Sequence, residues 1–182
     1  MTRRQFFQRI LTGGCAAALT LLMDQDADAA PFRGACSGRI SFYNLHTQES
    51  LSVRYMGSGG RLDPAALRRL DHLFRCHYTG QVRPIDRRLY MLLDAVRNRL
   101  GVGDKPFLLV SGYRSPSYNA LLRRNGHGVA KKSYHLRGMA ADIRMDGVPL
   151  TAIRKTAATL RAGGIGSYPD FIHLDVGPVR YW

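Results

Sequence analysis

Ser133-Tyr-His-Leu-Arg-Gly-Met-Ala-Ala-Asp142 places an imidazole, His135, and a carboxylate, Asp142, on either side of a glycine. Further along, His173-Leu-Asp175 adds a second imidazole and a second carboxylate. Two neutral imidazoles and one carboxylate are a set that Zn²⁺ accepts while keeping a fourth position for water, which separates a catalytic site from a closed structural one. Zinc lowers the pKa of water from about 15.7 to about 7 and polarises a scissile carbonyl. The set closes if Asp142 and His173 lie on neighbouring strands and His135 sits on the loop entering the first. The small residues Gly138 and Ala140 would let that loop approach the sheet closely. His46, His72, His77 and His127 carry no such pattern and read as ordinary polar or half-buried histidines.

Outward from this stretch, residues 138–145 read as a strand and residues 171–176 as a final one. Residues 38–45 and 51–56 alternate polar and apolar side chains around His46-Thr-Gln-Glu-Ser50, the pattern of a β-hairpin, which Gly57-Ser-Gly-Gly60 ends. Asp63-Pro64 supplies a helix cap and a first-turn proline, with Leu67, Leu70 and Phe74 following at helical spacing. A second helix is predicted over 84–100, with Leu89, Leu92, Leu93, Val96 and Leu100 on one stripe and Gly101 as its stop. Residues 106–110 fit a buried strand, and Ser115-Pro116 opens a helix that runs to Asn125-Gly126. Another helix is predicted over 150–162, closed by Gly163-Gly164. The order lacks a regular βαβ rhythm, so the expected fold is a single α+β domain with a largely antiparallel sheet packed by helices.

The 182 residues, 45% of them hydrophobic, suffice for one ordinary domain plus a short extra segment. That segment is at the start. Thr2-Arg-Arg-Gln-Phe-Phe-Gln8 carries a twin-arginine pattern, residues 10–23 are apolar and uncharged, and Ala27-Asp-Ala29 offers small residues to a signal peptidase. The apolar run falls short of the roughly 20 residues that span a bilayer. Residues 1–29 are therefore expected to be a twin-arginine-type export signal and 30–182 the working domain, periplasmic and without a stable membrane span after cleavage.

The net charge of +14 belongs to the working domain, because Arg3, Arg4 and Arg9 offset Asp24, Asp26 and Asp28. A basic surface attracts polyanions, and export sets nucleic acid aside in favour of an acidic wall polymer. Cys36 and Cys76 would meet an oxidising compartment, where a disulfide and two separate buried thiols are both open to them.

Ser111-Gly-Tyr-Arg-Ser-Pro116, Gly128-Val-Ala-Lys-Lys-Ser-Tyr-His135, Gly138-Met-Ala-Ala-Asp142, Gly163-Gly-Ile-Gly-Ser-Tyr-Pro169 and His173-Leu-Asp-Val-Gly-Pro-Val-Arg-Tyr-Trp182 together resemble the murein endopeptidase K family of zinc peptidases. That family is related to bacterial DD-carboxypeptidases and shares the fold of the Hedgehog domain. Ile40-Ser-Phe-Tyr-Asn-Leu-His46 and Pro84-Ile-Asp86 extend the likeness to the first half of the domain.

The resemblance implies a Hedgehog/DD-peptidase-like fold and a zinc metallopeptidase that cuts peptide cross-links of peptidoglycan. His135, Asp142 and His173 would be the ligands, Zn²⁺ the cofactor, and stem peptides the partners. A DD- or LD-carboxypeptidase and a non-catalytic wall-binding module are the alternatives. Arg114 matches an arginine that faces the active site in related enzymes, where its forked donors suit an oxyanion or a substrate carboxylate; a salt bridge holding the loop is the other reading.

Two aspartates compete as general base. Asp175 shares a strand face with His173 and is preferred; Asp170, three residues before the histidine, matches the acid of a Glu-x-x-His pattern in DD-peptidases. Ser133 and Tyr113 are candidates for orienting a ligand or touching substrate.

Overall fold

The computed structural model describes residue 32 and residues 34–182, so the export-signal reading of residues 1–29 lies outside the described residues. The predicted hairpin is present as β1 (Arg39–Asn44) and β2 (Ser50–Arg54), paired antiparallel. Asn44 shapes its turn by accepting from the amides of His46 at 2.9 Å and Thr47 at 3.1 Å. Helix α1 (Pro64–Leu73) starts where its cap predicts, with the Asp63 carboxylate accepting from the Ala65 amide at 2.8 Å. Such a cap contributes about 1 kcal/mol.

Helix α2 (Arg87–Leu100) begins later than residue 84 because Asp86, not a residue before Pro84, takes the cap position and accepts from the Arg88 amide at 3.0 Å. The freed segment has another use. The Ile85 amide donates to Asp71 at 3.0 Å and the Asp86 amide donates to the Gly138 carbonyl at 2.8 Å, which anchors the loop carrying His135.

Beyond it come β3 (Phe107–Ser111), α3 (Pro116–Arg124), a 3-10 turn (Tyr134–Arg137), β4 (Ala140–Arg144), α4 (Leu150–Leu160), β5 (Gly164–Ser167), β6 (Ile172–Asp175) and β7 (Arg180–Tyr181). The sheet order is β2-β1-β3-β4-β6-β5-β7. Only β1–β3 and β5–β7 pair parallel, so the largely antiparallel α+β expectation holds. No helix among the described residues is long and apolar enough to cross a membrane.

Phe42 on β1 meets Phe74 edge-on at 4.9 Å and stacks on Phe107 of β3 at 5.7 Å, and Phe74 meets Tyr90 of α2 edge-on at 5.3 Å. These rings join the sheet to α1 and α2, each pair adding about 1 kcal/mol beyond its burial. On β4 and β6 the alternation puts Ala141, Ile143, Ile172 and Leu174, all buried, on one face and Asp142, His173 and Asp175 on the other. Cys36 donates to the Met91 carbonyl and Cys76 to Ser115, and both thiols are free, which closes the disulfide question in favour of two separate thiols.

Gly163-Gly164 does not close α4. The helix ends at Leu160 with Arg161 in the left-handed region (φ 49°), and the glycines instead run against β6. A Cβ on Gly163 would lie 1.7 Å from the Asp175 carbonyl oxygen, so only backbone fits there. Gly163→Ala should cost about 3 kcal/mol as overpacking without relief. Thermal unfolding should then show Tm lower by on the order of 10 °C.

Candidate metal centre

Strand register brings two of the three predicted ligands together: Asp142 on β4 is the direct antiparallel partner of His173 on β6. The third arrives on the 3-10 turn. Ser133 caps this turn by accepting from the His135 amide at 3.3 Å, and Gly138 ends it at φ 67°. A Cβ on Gly138 would stand 2.7 Å from the Pro84 carbonyl oxygen, so both the left-handed backbone and the tight approach call for glycine here. His135, Asp142 and His173 are all buried, and their ligand atoms lie within 4.8 Å of one another, a group that could hold a metal ion.

Hydrogen bonds fix which ring nitrogens are free. His135 Nδ1 is 2.7 Å from the Gly112 carbonyl oxygen, which can only accept, so the proton is on Nδ1 and the lone pair is on Nε2. His173 stands between two carboxylates, with Nε2 3.1 Å from Asp175 and Nδ1 2.8 Å from Asp142; a ring that keeps its proton on Nε2, toward Asp175, offers the Nδ1 lone pair to an ion. The two lone pairs face each other at 3.2 Å, and both face Asp142 Oδ1, at 3.1 and 2.8 Å. With both rings in these tautomers, three acceptors converge on one point, an arrangement that suits a cation. Zinc with bonds of about 2.0–2.1 Å in a tetrahedron sets neighbouring ligand atoms about 3.3 Å apart, so the donor set fits it.

The electrostatics agree for His135 and Asp142, whereas His173 is drawn toward a proton that an ion would replace. Burial pushes His135 down and keeps it neutral, despite the opposing pull of Asp142. Burial alone would raise Asp142, but the two histidines and Arg114 outweigh it and hold the carboxyl well below the usual range. Burial also works against charge on His173, yet the hydrogen bonds to Asp142 and Asp175 prevail and raise it.

Arg114 is buried and splits its donors: Nε gives to Ser111 at 2.9 Å and Nη2 to Asp142 Oδ2. The salt-bridge reading of this arginine is thus present, and Nη1 is left unengaged by the described residues.

Asp175 meets His173 from behind, on the Nε2 side of the ring and away from the converging lone pairs. Its carboxylate is fully buried and also accepts from Arg180 Nη2 at 2.6 Å, Arg180 Nη1 at 3.1 Å, and the Gly177 and Gly164 amides at 2.8 and 3.2 Å. Burial would raise this group, but His173, Arg180 and the Gly177 amide bring it down to about 2. A carboxylate so occupied orients a histidine better than it relays a proton. Asp170 is exposed on the turn between β5 and β6 and does not line the groove over the centre. Ser133 serves the turn, and Tyr113 is buried by packing.

A family model described as peptidoglycan L,D-endopeptidase MepK matches residues 34–182. The chain belongs to this MepK family. The probable peptidoglycan L,D-endopeptidase MepK of Haemophilus influenzae is 43% identical over 145 residues, spanning 79% of this chain and 77% of that protein. The peptidoglycan L,D-endopeptidase MepK of Escherichia coli K12 is 41% identical over 145 residues, spanning 79% of each.

The centre of this MepK-family chain lies in a groove of ≈ 800 Å³. One wall is aromatic: Tyr168 stacks on Phe171 at 4.6 Å, and Trp182 donates from Nε1 to the Tyr168 hydroxyl at 3.2 Å. Arg180 lies over the rings of Tyr134 and Trp182, at 4.8 and 5.0 Å. The roles of Arg180 and Trp182 were not predicted, although both stand in the stretch from His173 that carried the family likeness. His46, His77 and His127, set aside as ordinary histidines, also line the groove.

Proposed function

We propose that this chain is an exported zinc peptidase that hydrolyses peptide cross-links of peptidoglycan, a reading supported by relatives named peptidoglycan L,D-endopeptidases. The observation that carries the reading is the convergence of His135 Nε2, Asp142 Oδ1 and His173 Nδ1, 2.8 to 3.2 Å from one another, in the lining of the groove. These three side chains would hold the ion. Zinc there would supply Lewis-acid polarisation of the scissile carbonyl and an acidified water.

Around that centre each residue has a separate task. Gly112 and Asp175 hold the two rings with their lone pairs inward, and Arg114 holds Asp142 through Nη2 while Nη1 serves the oxyanion of the reacting amide. Asp175 is a positioning residue. Asp170 reaches the reacting atoms only if the turn between β5 and β6 moves, so proton transfer is not assigned to it. The twin-arginine pattern at Arg3-Arg4 supports export by that route into the periplasm, where the substrate lies.

Mass spectrometry of muropeptides treated with zinc-loaded and with chelated protein tests the reading. Cross-linked dimers should be converted to monomers by the loaded protein and left intact by the chelated one. Trimming of free stem ends alone would make it a carboxypeptidase, and wall binding without hydrolysis would make it a binding module; either result overturns the proposal.

A further inference from the structure

Opposite the aromatic wall, the groove has an end that the metal centre does not use. His46 follows β1, two residues past Asn44, whose parallel partner on β3 is Leu109, and the Leu45 amide donates to the Leu109 carbonyl at 3.1 Å. Since β3 alone separates β1 from β4, a strand spacing of about 4.8 Å puts the His46 backbone roughly 10 Å from that of Asp142. His77 comes from the loop after α1, which is fastened to the Arg114 segment by the bond from the Tyr113 amide to the Phe74 carbonyl at 2.8 Å.

The two imidazoles stack with centroids 3.7 Å apart and planes 10° from parallel, and Tyr118 of α3 meets His77 edge-on at 4.9 Å. His46 is exposed and His77 half-buried, so the stack is no part of the core. Neither ring hydrogen-bonds to another described residue, unlike both histidines of the centre. The rings are therefore held by their faces, with their nitrogens open to a ligand.

The groove says which kind. Among the described residues its one carboxylate, Asp142, is paired with Arg114, and Arg180 is paired with Asp175, so the net charge of the lining is the positive charge of Lys132. An anionic group is drawn to such a cleft and a cationic one is repelled. We propose that His46 and His77, braced by Tyr118, form a subsite that takes a carboxylate of the peptide substrate. This assignment rests on the peptidase reading above. Burial, then His46 and Arg114, push His77 down to about 4, so its ring is neutral and donates a single N–H, leaving the charge to Lys132.

Steady-state hydrolysis of a cross-linked muropeptide with free carboxylates, and of the same peptide with them amidated, tests the subsite in the zinc-loaded wild type, His46→Ala and His77→Ala. The wild type should prefer the free acid by about tenfold in kcat/KM, the equivalent of one good charge-assisted hydrogen bond. The variants should lose that preference through a raised KM for the free acid, with kcat, zinc content and Tm close to wild type. An unchanged KM and preference in both variants overturns the proposal, as does an equal loss on both substrates. If the wild type cleaves neither peptide, the peptidase reading has failed on its own. Calorimetric binding of the free-acid peptide then decides the subsite, weaker binding by the variants supporting it and equal binding overturning it.

Discussion

Asp142→Asn should abolish zinc binding and hydrolysis while leaving the domain folded. The amide keeps the shape of the carboxylate, and its oxygen can still accept from Arg114 Nη2. Its NH₂ group then faces the lone pairs of His135 Nε2 and His173 Nδ1, which lie 3.1 and 2.8 Å from Asp142 Oδ1 in the native protein. The substitution thus puts a hydrogen-bond donor where the native site has three acceptors, and removes the negative charge that draws the ion in. The buried Arg114 loses its charged partner, a change that costs the fold up to about 3–5 kcal/mol, lessened by the bond it keeps to the amide oxygen. Zinc should raise the Tm of the wild type, because a ligand that binds only the folded state stabilises it, and should leave that of Asp142→Asn unchanged. Muropeptide cleavage should fall to the level of chelated wild type. Near-native zinc affinity in the variant would sink the ligand assignment. Alanine is a poorer probe, since it leaves the buried Arg114 guanidinium facing a void.

Much of this centre was legible because strand geometry follows from sequence spacing. Alternation on β6 predicts that His173 and Asp175 share a face, and they do; the small residues around Asp142 predict the close approach of the loop, and Gly138 makes it. The two strands left unpredicted are ones whose residues give no local signal. Gly163-Gly164 reads as a helix stop, yet Gly164 opens β5, which pairs with β6 and β7 and has glycine at 164 and 166 where Asp175, Arg180 and Trp182 fill the space a side chain would need. In β7 only two residues pair, which no periodicity can register. The histidines at 46 and 77 lie thirty-one positions apart and meet only through the sheet order and the α1 loop, so neither one's spacing marks the other.

The role of Asp175 was not legible from spacing, and the reason is geometric. A shared strand face says that two side chains are neighbours, but not which edge of an imidazole the carboxylate meets. Arg180 and the Gly164 and Gly177 amides settle that edge, and they come from β7, the start of β5 and the turn after β6.

Asp175→Asn therefore separates a base from a positioning residue. A base acts on the reacting atoms, so its loss would remove turnover and spare the metal. A carboxylate behind His173 acts through the ring: it holds the proton on Nε2, aims Nδ1 at the centre and makes the ring a better donor to the ion. Outer partners of this kind typically contribute 10–100-fold to metal affinity. We expect Asp175→Asn to weaken zinc binding by about that factor, and cleavage at limiting zinc to fall with it. Saturating zinc should recover a large part of the activity. Removing Arg180 with Arg180→Ala should shift zinc affinity the same way by a smaller amount, because it deletes the group that steadies Asp175 and leaves the His173 contact in place. Wild-type zinc affinity together with lost turnover in Asp175→Asn would return Asp175 to the role of base.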